Sequence, residues 1–143
     1  MDCSKLGYTV ISDGGHKTAG DIVKALAAGA SYCMIGKMFA GTDESPGDII
    51  EDGGKRYKKY RGSASQESYE KQGKIAPWRA AEGDSFLVPY KGSVVDVLSD
   101  IEGGLRSAMT YVGALTLEEF KEKVEFVKVT QSGYIEGLAH GKF

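Results

Sequence analysis

Cysteine, long apolar runs and an excess of positive charge are all lacking in this sequence. Its 143 residues include only Cys3 and Cys33, too few for the disulfide framework of a small secreted protein. No apolar run approaches the roughly 20 residues of a membrane-spanning helix, and the formal net charge of −2 argues against general nucleic-acid binding. The first residues, with Asp2 and Lys5, lack the pattern of a secretion signal. We therefore expect a cytoplasmic protein with no membrane and no nucleic-acid partner.

Glycine, in contrast, is abundant, and the rest of the composition is that of an ordinary soluble domain. Apolar residues make up 41% and charged residues 27% of the chain, whose length suffices for one core of ordinary size. The 20 glycines cluster at the ends of predicted strands and in turns, where ligand-binding loops are found.

The segment around Asp13 carries the strongest local signal. Val10 and Ile11 are apolar and β-branched, as in a strand buried on both faces, and Asp13 stands where that strand stops. Gly14 and Gly15 then allow a sharp turn and a close approach of the backbone to a ligand. A helix is predicted to follow, so these glycines lie between the carboxyl end of a strand and the amino end of a helix.

The next segment repeats this design. Thr18 is placed to cap a helix over about 19–28, which Gly29 closes. A second buried strand is predicted over 31–35, and it ends at Gly36 and Lys37. The first 47 residues therefore predict a strand–helix–strand unit whose two strands both open into glycine.

The middle of the chain predicts a hairpin and a long connection. After a short helix and loop over 38–47, segments 48–51 and 55–60 flank Asp52-Gly53-Gly54, a strong hairpin signal. Residues 61–83 have no sustained period and are too many for a plain connection, so we interpret them as a mobile flap over a site. A strand is predicted over 85–90.

The last third of the chain predicts helices. Ser93 is placed to cap a long amphipathic helix, in which Gly103-Gly104 should be required by close packing or by a ligand. Thr116 and Glu119 have the spacing of a capping box for a second helix, ending near Lys123. A short strand is predicted over 126–129 and a loose tail over 131–143.

The two strand ends predict a site for a phosphorylated ligand. The carboxyl ends of parallel strands share one face of a (β/α) barrel, and the last two strands often build a phosphate site there. The backbone N–H groups of Gly15, Gly36 and Lys37 would hold the phosphate, and Asp13 would accept hydrogen bonds from ribose hydroxyls. The alternative is that these glycines only make turns.

Longer motifs, in order from about Val10 to Val129, resemble the carboxyl-terminal part of the IMP dehydrogenase/GMP reductase family. The motifs are Ile11-Ser12-Asp13-Gly14-Gly15, Ala28-Gly29-Ala30, Met34-Ile35-Gly36, Ala40-Gly41-Thr42-Asp43-Glu44-Ser45-Pro46-Gly47, Tyr60-Arg61-Gly62-Ser63-Ala64-Ser65, Val88-Pro89-Tyr90-Lys91-Gly92 and Gly103-Gly104-Leu105-Arg106-Ser107.

The resemblance implies a fold class, α/β, and a place within it. The family fold is a (β/α)8 barrel of roughly 250 residues, and this chain would be a carboxyl-terminal fragment with about the last two βα units. It would form one partial catalytic domain, with the βαβ unit and phosphate site in 1–47, the hairpin and flap in 48–92, the terminal helices and strand in 93–130 and the tail in 131–143. The family's nucleophilic cysteine lies before the matched part, so neither Cys3 nor Cys33 is assigned a catalytic role; we expect Cys33 to be a small buried core thiol.

Two activities share this family fold, and the resemblance favours one of them. GMP reductase uses NADPH to convert GMP to IMP and ammonia, while IMP dehydrogenase uses NAD and water to oxidise IMP. The segment 78–83 resembles the part of the reductase that grips the purine, and 107–113 resembles its nicotinamide-nucleotide contact. The Arg-Tyr pair of dehydrogenase flaps is absent between Gly62 and Gly83. Gly41-Thr42 and 133–136 resemble the dehydrogenase instead, whose tail helps to bind a monovalent cation.

The resemblance also implies roles for individual residues. Glu82 would be catalytic, although its alternative is an ordinary solvated loop carboxylate. Ser63 departs from the family, most of whose members have methionine there. His16 and His140 have no matched role and are expected to be exposed and neutral. The implied cofactor contacts are Trp78, Arg79, Ser107, Ala108, Met109 and Thr110, and the implied contacts to a purine mononucleotide, GMP or IMP, are Asp13, Gly14, Gly15, Gly36, Lys37, Tyr60, Gly62, Ser63, Ala64, Arg79, Ala81, Glu82 and Gly83.

Two interpretations that assign the chain another kind of function remain open. The chain is a candidate for a non-catalytic nucleotide-binding regulator, or for an unrelated βα protein that binds another phosphorylated metabolite. No metal-ion site is predicted beyond the monovalent cation of the dehydrogenase alternative. Exposed apolar strand edges predict self-association, and the resemblance implies a homotetramer.

Overall fold

The computed structural model describes residues 7–61 and 85–137 and shows an α/β arrangement. A parallel pair of strands packs with helices in one part, and an antiparallel sheet of three strands lies in the other. In chain order the elements are β1 Ile11–Asp13, α1 Ala19–Ala27, β2 Tyr32–Met34, β3 Ile49–Asp52, β4 Lys55–Arg61, β5 Ser85–Pro89, α2 Val94–Val112, α3 Leu117–Lys123 and α4 Gln131–Glu136.

The predicted strand–helix–strand unit is confirmed. β1 and β2 pair in parallel, with Ile11 opposite Tyr32 and Asp13 opposite Met34, so both strands end at the same edge. α1 begins after Thr18, whose side chain accepts a hydrogen bond from the backbone N–H of Asp21 while the Asp21 carboxylate accepts one from the Thr18 N–H. This reciprocal cap satisfies two N–H groups that the first turn of a helix leaves without partners.

The expectation that these two strands are buried on both faces is wrong for this chain. Ile11 is 54% exposed, Tyr32 is 64% exposed and Met34 is 56% exposed. Strand propensity and apolar character fix the conformation, but burial depends on neighbours, and β1 and β2 pair with no other strand among the described residues. The apolar side chains of this parallel pair are therefore largely uncovered in the described part of the chain.

The predicted hairpin is confirmed, and a third strand extends it. Gly53 and Gly54, with φ of 56° and 75°, form the turn between β3 and β4. Left-handed conformations at both central positions give a turn whose twist matches that of the two strands, which favours glycine at both. β5 then pairs antiparallel to β4, with Arg61 opposite Ser85.

The predicted short helix within 38–47 is wrong, because this segment folds as successive turns. A single helical turn closes from the N–H of Ala40 to the carbonyl of Gly36 at 3.1 Å, and the chain then bends at Gly41. Gly41 has φ of 87°, and a Cβ at this position would collide with the carbonyl oxygen of Pro89. The backbone instead crosses β5 closely, and Thr42 forms a parallel bridge to Gly92.

The long predicted helix is confirmed as α2, which passes through Gly103-Gly104 without a break. Ser93 caps its start, and Gly113, with φ of 65°, ends it. α2 packs on α1, and a Cβ on Gly104 would lie 2.7 Å from the Cβ of Ala19. No atom lies within 4 Å of a Cβ built on Gly103. Close packing therefore explains Gly104, as predicted, but it does not explain Gly103.

The carboxyl-terminal elements differ in part from the sequence predictions. The Thr116 hydroxyl accepts a hydrogen bond from the N–H of Glu119 as predicted, but the Glu119 carboxylate accepts from the N–H of Leu115 instead of that of Thr116. Residues 126–129 do not form the predicted strand; they are exposed, and no strand in the described part of the chain lies beside them to supply hydrogen bonds. The predicted loose tail contains α4, which Thr130 caps, and the tail beyond Gly137 lies outside the described residues.

The buried apolar core of the described part is small. It consists of residues from two helices, one strand of the antiparallel sheet and the connections: Ile22, Ala30, Ala40, Val88, Ala114 and Phe120. Within residues 7–61 and 85–137, no helix has the length and apolar character to cross a membrane.

The two glycines of α2 give a matched test of the helix packing. We expect Gly103→Ala to raise the free energy of unfolding by about 0.5–1 kcal/mol, because alanine is the better helix former and has open space there. The free energy of unfolding of the Gly104→Ala variant should be about 1–3 kcal/mol lower than that of Gly103→Ala, because the new methyl group has to displace Ala19. Urea unfolding of both variants measures this difference, and equal stabilities would show that α1 and α2 do not pack as described.

Candidate functional site

The ends of β1 and β2 open into a cavity of about 530 Å³. The structure brings together here every described residue that the sequence predicted to bind the sugar and phosphate. Residues of the antiparallel sheet close the cavity from the other side, so it lies between the two sheets. The predicted residues that line it are Asp13, Gly14, Gly15, Gly36, Lys37 and Tyr60.

The turn after β1 depends on glycine for its conformation. Gly14 and Gly15 have φ of 80° and 81°, a region that side chains with a Cβ rarely adopt. No atom lies within 4 Å of a Cβ built on either residue, so backbone angle and not crowding selects glycine. The turn leaves the space beside both residues open to the cavity, which is the arrangement that a backbone anion site needs.

Gly36, in contrast, lies close to a neighbouring side chain. A Cβ on Gly36 would lie 3.0 Å from the hydroxyl oxygen of Tyr60, so the phenol would have to shift by a few tenths of an ångström to admit a side chain. The Tyr60 ring packs on Phe86 with 5.1 Å between centroids, and the ammonium group of Lys37 lies 5.1 Å from the centre of the same Phe86 ring. Phe86 therefore contacts both the ring of Tyr60 and the ammonium group of Lys37, beside the turn that follows β2.

Four residues that line this cavity were not predicted from the sequence: His16, Met34, Ile35 and Arg61. His16 was expected to be exposed, and this was wrong, because only 9% of it is accessible. Its Nε2 lies 3.2 Å from the carbonyl oxygen of Ser12. A carbonyl only accepts, so Nε2 carries the proton and donates it. The position of His16 directly after Gly14-Gly15 was the available signal, since that turn folds the following residue back over the strand end.

The remaining predicted site residues are not brought to the cavity by the described structure. Ser107, Ala108, Met109 and Thr110 lie on α2, away from the residues that line the cavity, and the Thr110 hydroxyl donates to the carbonyl of Arg106 at 2.8 Å. The others lie outside the described residues: Gly62, Ser63, Ala64, Trp78, Arg79, Ala81, Glu82 and Gly83.

The buried ammonium group of Lys58 holds the turn that follows β2. Lys58, on β4, is only 5% exposed, and its Nζ donates to the carbonyl oxygens of Thr42, Asp43 and Ser45 at 2.8, 3.1 and 2.7 Å. Three carbonyl oxygens are the full complement that an ammonium group can satisfy. Lys58 therefore fixes the turn that follows β2 against the strand that carries Tyr60.

The same turn is joined to α2 and to β5 by carboxylates. Glu44 accepts hydrogen bonds from the Val94 N–H at 2.7 Å and the Ser93 hydroxyl at 3.1 Å, and the bond from Val94 lowers the pKa of Glu44. The Tyr90 hydroxyl donates to Asp43 at 2.6 Å, a bond that raises the pKa of Tyr90. Glu44 thus stays ionised at the amino end of α2, where a negative charge is favourable.

Cys33 has the environment of a structural thiol. It lies on β2, half-buried and free of any disulfide, and burial raises its pKa above the ordinary value. A raised pKa keeps the group as the thiol at neutral pH, whereas a nucleophilic cysteine needs the thiolate. The predicted assignment of Cys33 to packing agrees with this chemistry, although the residue is half-buried and not fully buried.

The fold and the cavity define an α/β protein with an open cavity at the ends of two parallel strands. The sequence profile described as "IMP dehydrogenase / GMP reductase domain" matches residues 1–140, and the chain belongs to this family.

Relatives of both kinds are similar to the chain. An inosine-5'-monophosphate dehydrogenase of Nitrosopumilus maritimus is 44% identical to the chain, and the match covers 98% of this chain and 32% of the relative. A GMP reductase of Vibrio atlanticus is 46% identical, and the match covers 88% of this chain and 37% of the relative. The structure of a Trypanosoma brucei GMP reductase in complex with guanosine 5'-monophosphate superimposes with a TM-score of 0.88 at 37% identity, covering 99% of this chain and 30% of that one. The chain thus spans about a third of the length of the relatives it matches.

The role of Lys58 is testable by substitution. We expect Lys58→Met to lower the free energy of unfolding by about 2 kcal/mol, because three carbonyl oxygens lose their charged donor while buried. Lys55→Met, at an exposed position of the same strand, is the matched control and should change stability by less than about 0.5 kcal/mol. Urea unfolding measures both; equal effects would mean that the ammonium group does not hold the turn.

Proposed function

We propose that this chain is part of a GMP reductase, which converts GMP to IMP and ammonia with NADPH as the hydride donor. The observation that carries the proposal is the convergence of Asp13, Gly15, Gly36, Lys37 and Tyr60 on one cavity at the ends of two parallel strands. Relatives named GMP reductase that are about 46% identical to the chain support it.

The parallel pair would then be the last two strands of a (β/α)8 barrel. In such barrels the loops after the final strands form a phosphate site at the carboxyl-terminal face. The exposure of Ile11, Tyr32 and Met34 supports this placement, because strands of a closed barrel need neighbours on both sides.

Each residue of the cavity has a chemical role in this proposal. The backbone N–H groups of Gly15, Gly36 and Lys37 bind the phosphate of GMP, and the Lys37 ammonium group offsets its charge. The Tyr60 hydroxyl donates a further hydrogen bond, and the Asp13 carboxylate accepts from the ribose hydroxyls. These contacts bind and orient the nucleotide, and orientation by itself contributes to the rate.

The predicted cofactor contacts on α2 do not line the cavity at the ends of β1 and β2. Residues 107–110 all lie within α2, so the described structure assigns them no step of the hydride transfer. The proposal that NADPH is the donor depends on the resemblance of 78–83 and 107–113 to the reductase.

IMP dehydrogenase is the second candidate. The relative from Nitrosopumilus maritimus matches 98% of the chain, and Gly41-Thr42 and 133–136 resemble the dehydrogenase. That enzyme would use NAD, and a monovalent cation near the tail would accompany it. The nucleotide cavity is equally suited to IMP, which has the same ribose and phosphate, so the choice depends on residues 62–84.

Titration with GMP tests the nucleotide site. We expect the backbone amide signals of Gly15, Gly36 and Lys37 to shift first in NMR spectra, and guanosine, which has no phosphate, to leave them nearly unchanged. Asp13→Ala should weaken GMP binding roughly tenfold through the lost ribose contact, while Asp48→Ala, at an exposed position, should not. Shifts confined to 131–137 would rule out the proposed site.

Catalysis requires more than these residues. We propose that the 143-residue chain by itself has no activity, because the matched segments contain no cysteine at the nucleophile position and no covalent intermediate forms without it. Absorbance assays with NADPH plus GMP, and with NAD plus IMP, should both remain at background. Turnover above background in either assay would contradict the missing nucleophile, and turnover in the second would also favour the dehydrogenase.

Glu82 remains a proposal, since it lies outside the described residues. It is the carboxylate within the segment that resembles the purine grip of the reductase, and Arg79 stands three positions before it. We propose that it supplies the proton to the departing amine, a contribution typically of about 10²–10⁴-fold. In a protein with the complete family domain, Glu82→Gln should therefore lower kcat far more than GMP affinity; an unchanged kcat would leave Glu82 a solvated carboxylate.

A further inference from the structure

A second cavity, of about 480 Å³, adjoins the nucleotide cavity. His16 and Lys37 line both cavities and form the wall between them. The rest of the second cavity is lined by side chains from the turns after β1 and β2, from the segment after β5 and from the first part of α2. The complete lining is His16, Lys17, Lys37, Met38, Lys91, Val97 and Asp100.

The charged side chains of this second cavity are mainly basic. Lys17, Lys37 and Lys91 face a single carboxylate, that of Asp100, whereas the whole chain has a formal net charge of −2. Positive charge is thus concentrated at one place in a protein that is acidic overall. A concave surface that focuses charge of one sign attracts ligands of the opposite sign.

The position of Lys91 is fixed by the fold. Its Nζ donates to the carbonyl oxygens of Met38 at 2.9 Å and Lys37 at 3.4 Å. Burial, and then the nearby Lys37 ammonium group, lower the pKa of Lys91. In the described part of the chain no carboxylate forms an ion pair with Lys91 or Lys37, so two neighbouring ammonium groups stand together without a counterion.

We propose that this second cavity binds a phosphate group beyond the one in the nucleotide cavity, so that a guanosine di- or triphosphate spans both. The proposal rests on the proposed nucleotide site, because the shared wall of His16 and Lys37 places the two cavities in succession. The first phosphate lies against Gly15 and Gly36, and the next lies beside Lys17 and Lys91. The same chemistry also suits free inorganic phosphate in the second cavity.

Three ligands separate these sources. GMP, GDP and inorganic phosphate are titrated into the full chain, with affinity measured by calorimetry and the amides of Lys17 and Lys91 followed by NMR. We expect GDP to bind roughly tenfold more tightly than GMP, because its second phosphate makes one further hydrogen bond with a charged group. Lys91→Gln should abolish this advantage and leave GMP affinity unchanged. Lys55→Gln, which removes the same charge at an exposed distant position, should preserve it.

A second variant guards against a folding defect, because Lys91 also holds the carbonyl of Met38. Lys17→Gln removes a charge from the cavity wall while its backbone bond to Asp21 remains, and it should also reduce the preference for GDP. Shifts of Lys17 and Lys91 with phosphate alone would support the site with a free anion as its source, even if GMP failed to bind and the proposed function fell. Equal affinity for GDP and GMP, with no shift from phosphate, would overturn the proposal.

Discussion

The hydrogen bonds of the Lys58 ammonium group to three carbonyl oxygens are the contact on which the arrangement of the two sheets depends. They hold the turn after β2 against β4, and the same turn forms a bridge from Thr42 to Gly92, beyond the end of β5, and caps α2 through Glu44. With a small apolar core, the described part of the chain relies on this polar junction to set the distance between the strand ends and Tyr60. The cavity at the ends of β1 and β2 lies beside this junction.

Much of this arrangement could be predicted from the sequence, because local chemistry decides it. Thr18, Gly53-Gly54 and Ser93 each fix a cap or a turn through their own backbone preferences, and the structure confirms all three. The grouping of Asp13, Gly15 and Gly36 followed from the rule that parallel strands end at one edge.

Several of the errors concern burial and pairing, which the composition of a segment does not decide by itself. The segment 126–129 has the apolar, β-branched composition of a strand but no strand to pair with among the described residues. His16 has an ordinary surface composition around it, yet the turn at Gly14-Gly15 carries it inward to the Ser12 carbonyl. Lys58 stands in a strand that otherwise contains only lysine, arginine and tyrosine, and nothing local marks it as the lysine that three carbonyls surround.

The pairing of Arg61 with Ser85 has a consequence for how the two activities of this family could diverge. That pair closes off the 23 residues 62–84, which include the segment 78–83 that resembles the reductase. The entropy of closing a flexible connection grows only with the logarithm of its length, so doubling such a segment costs about 0.6 kcal/mol. Length and sequence between these two positions are therefore free to change over evolutionary time, because the strands on either side pair in the same register whatever lies between them.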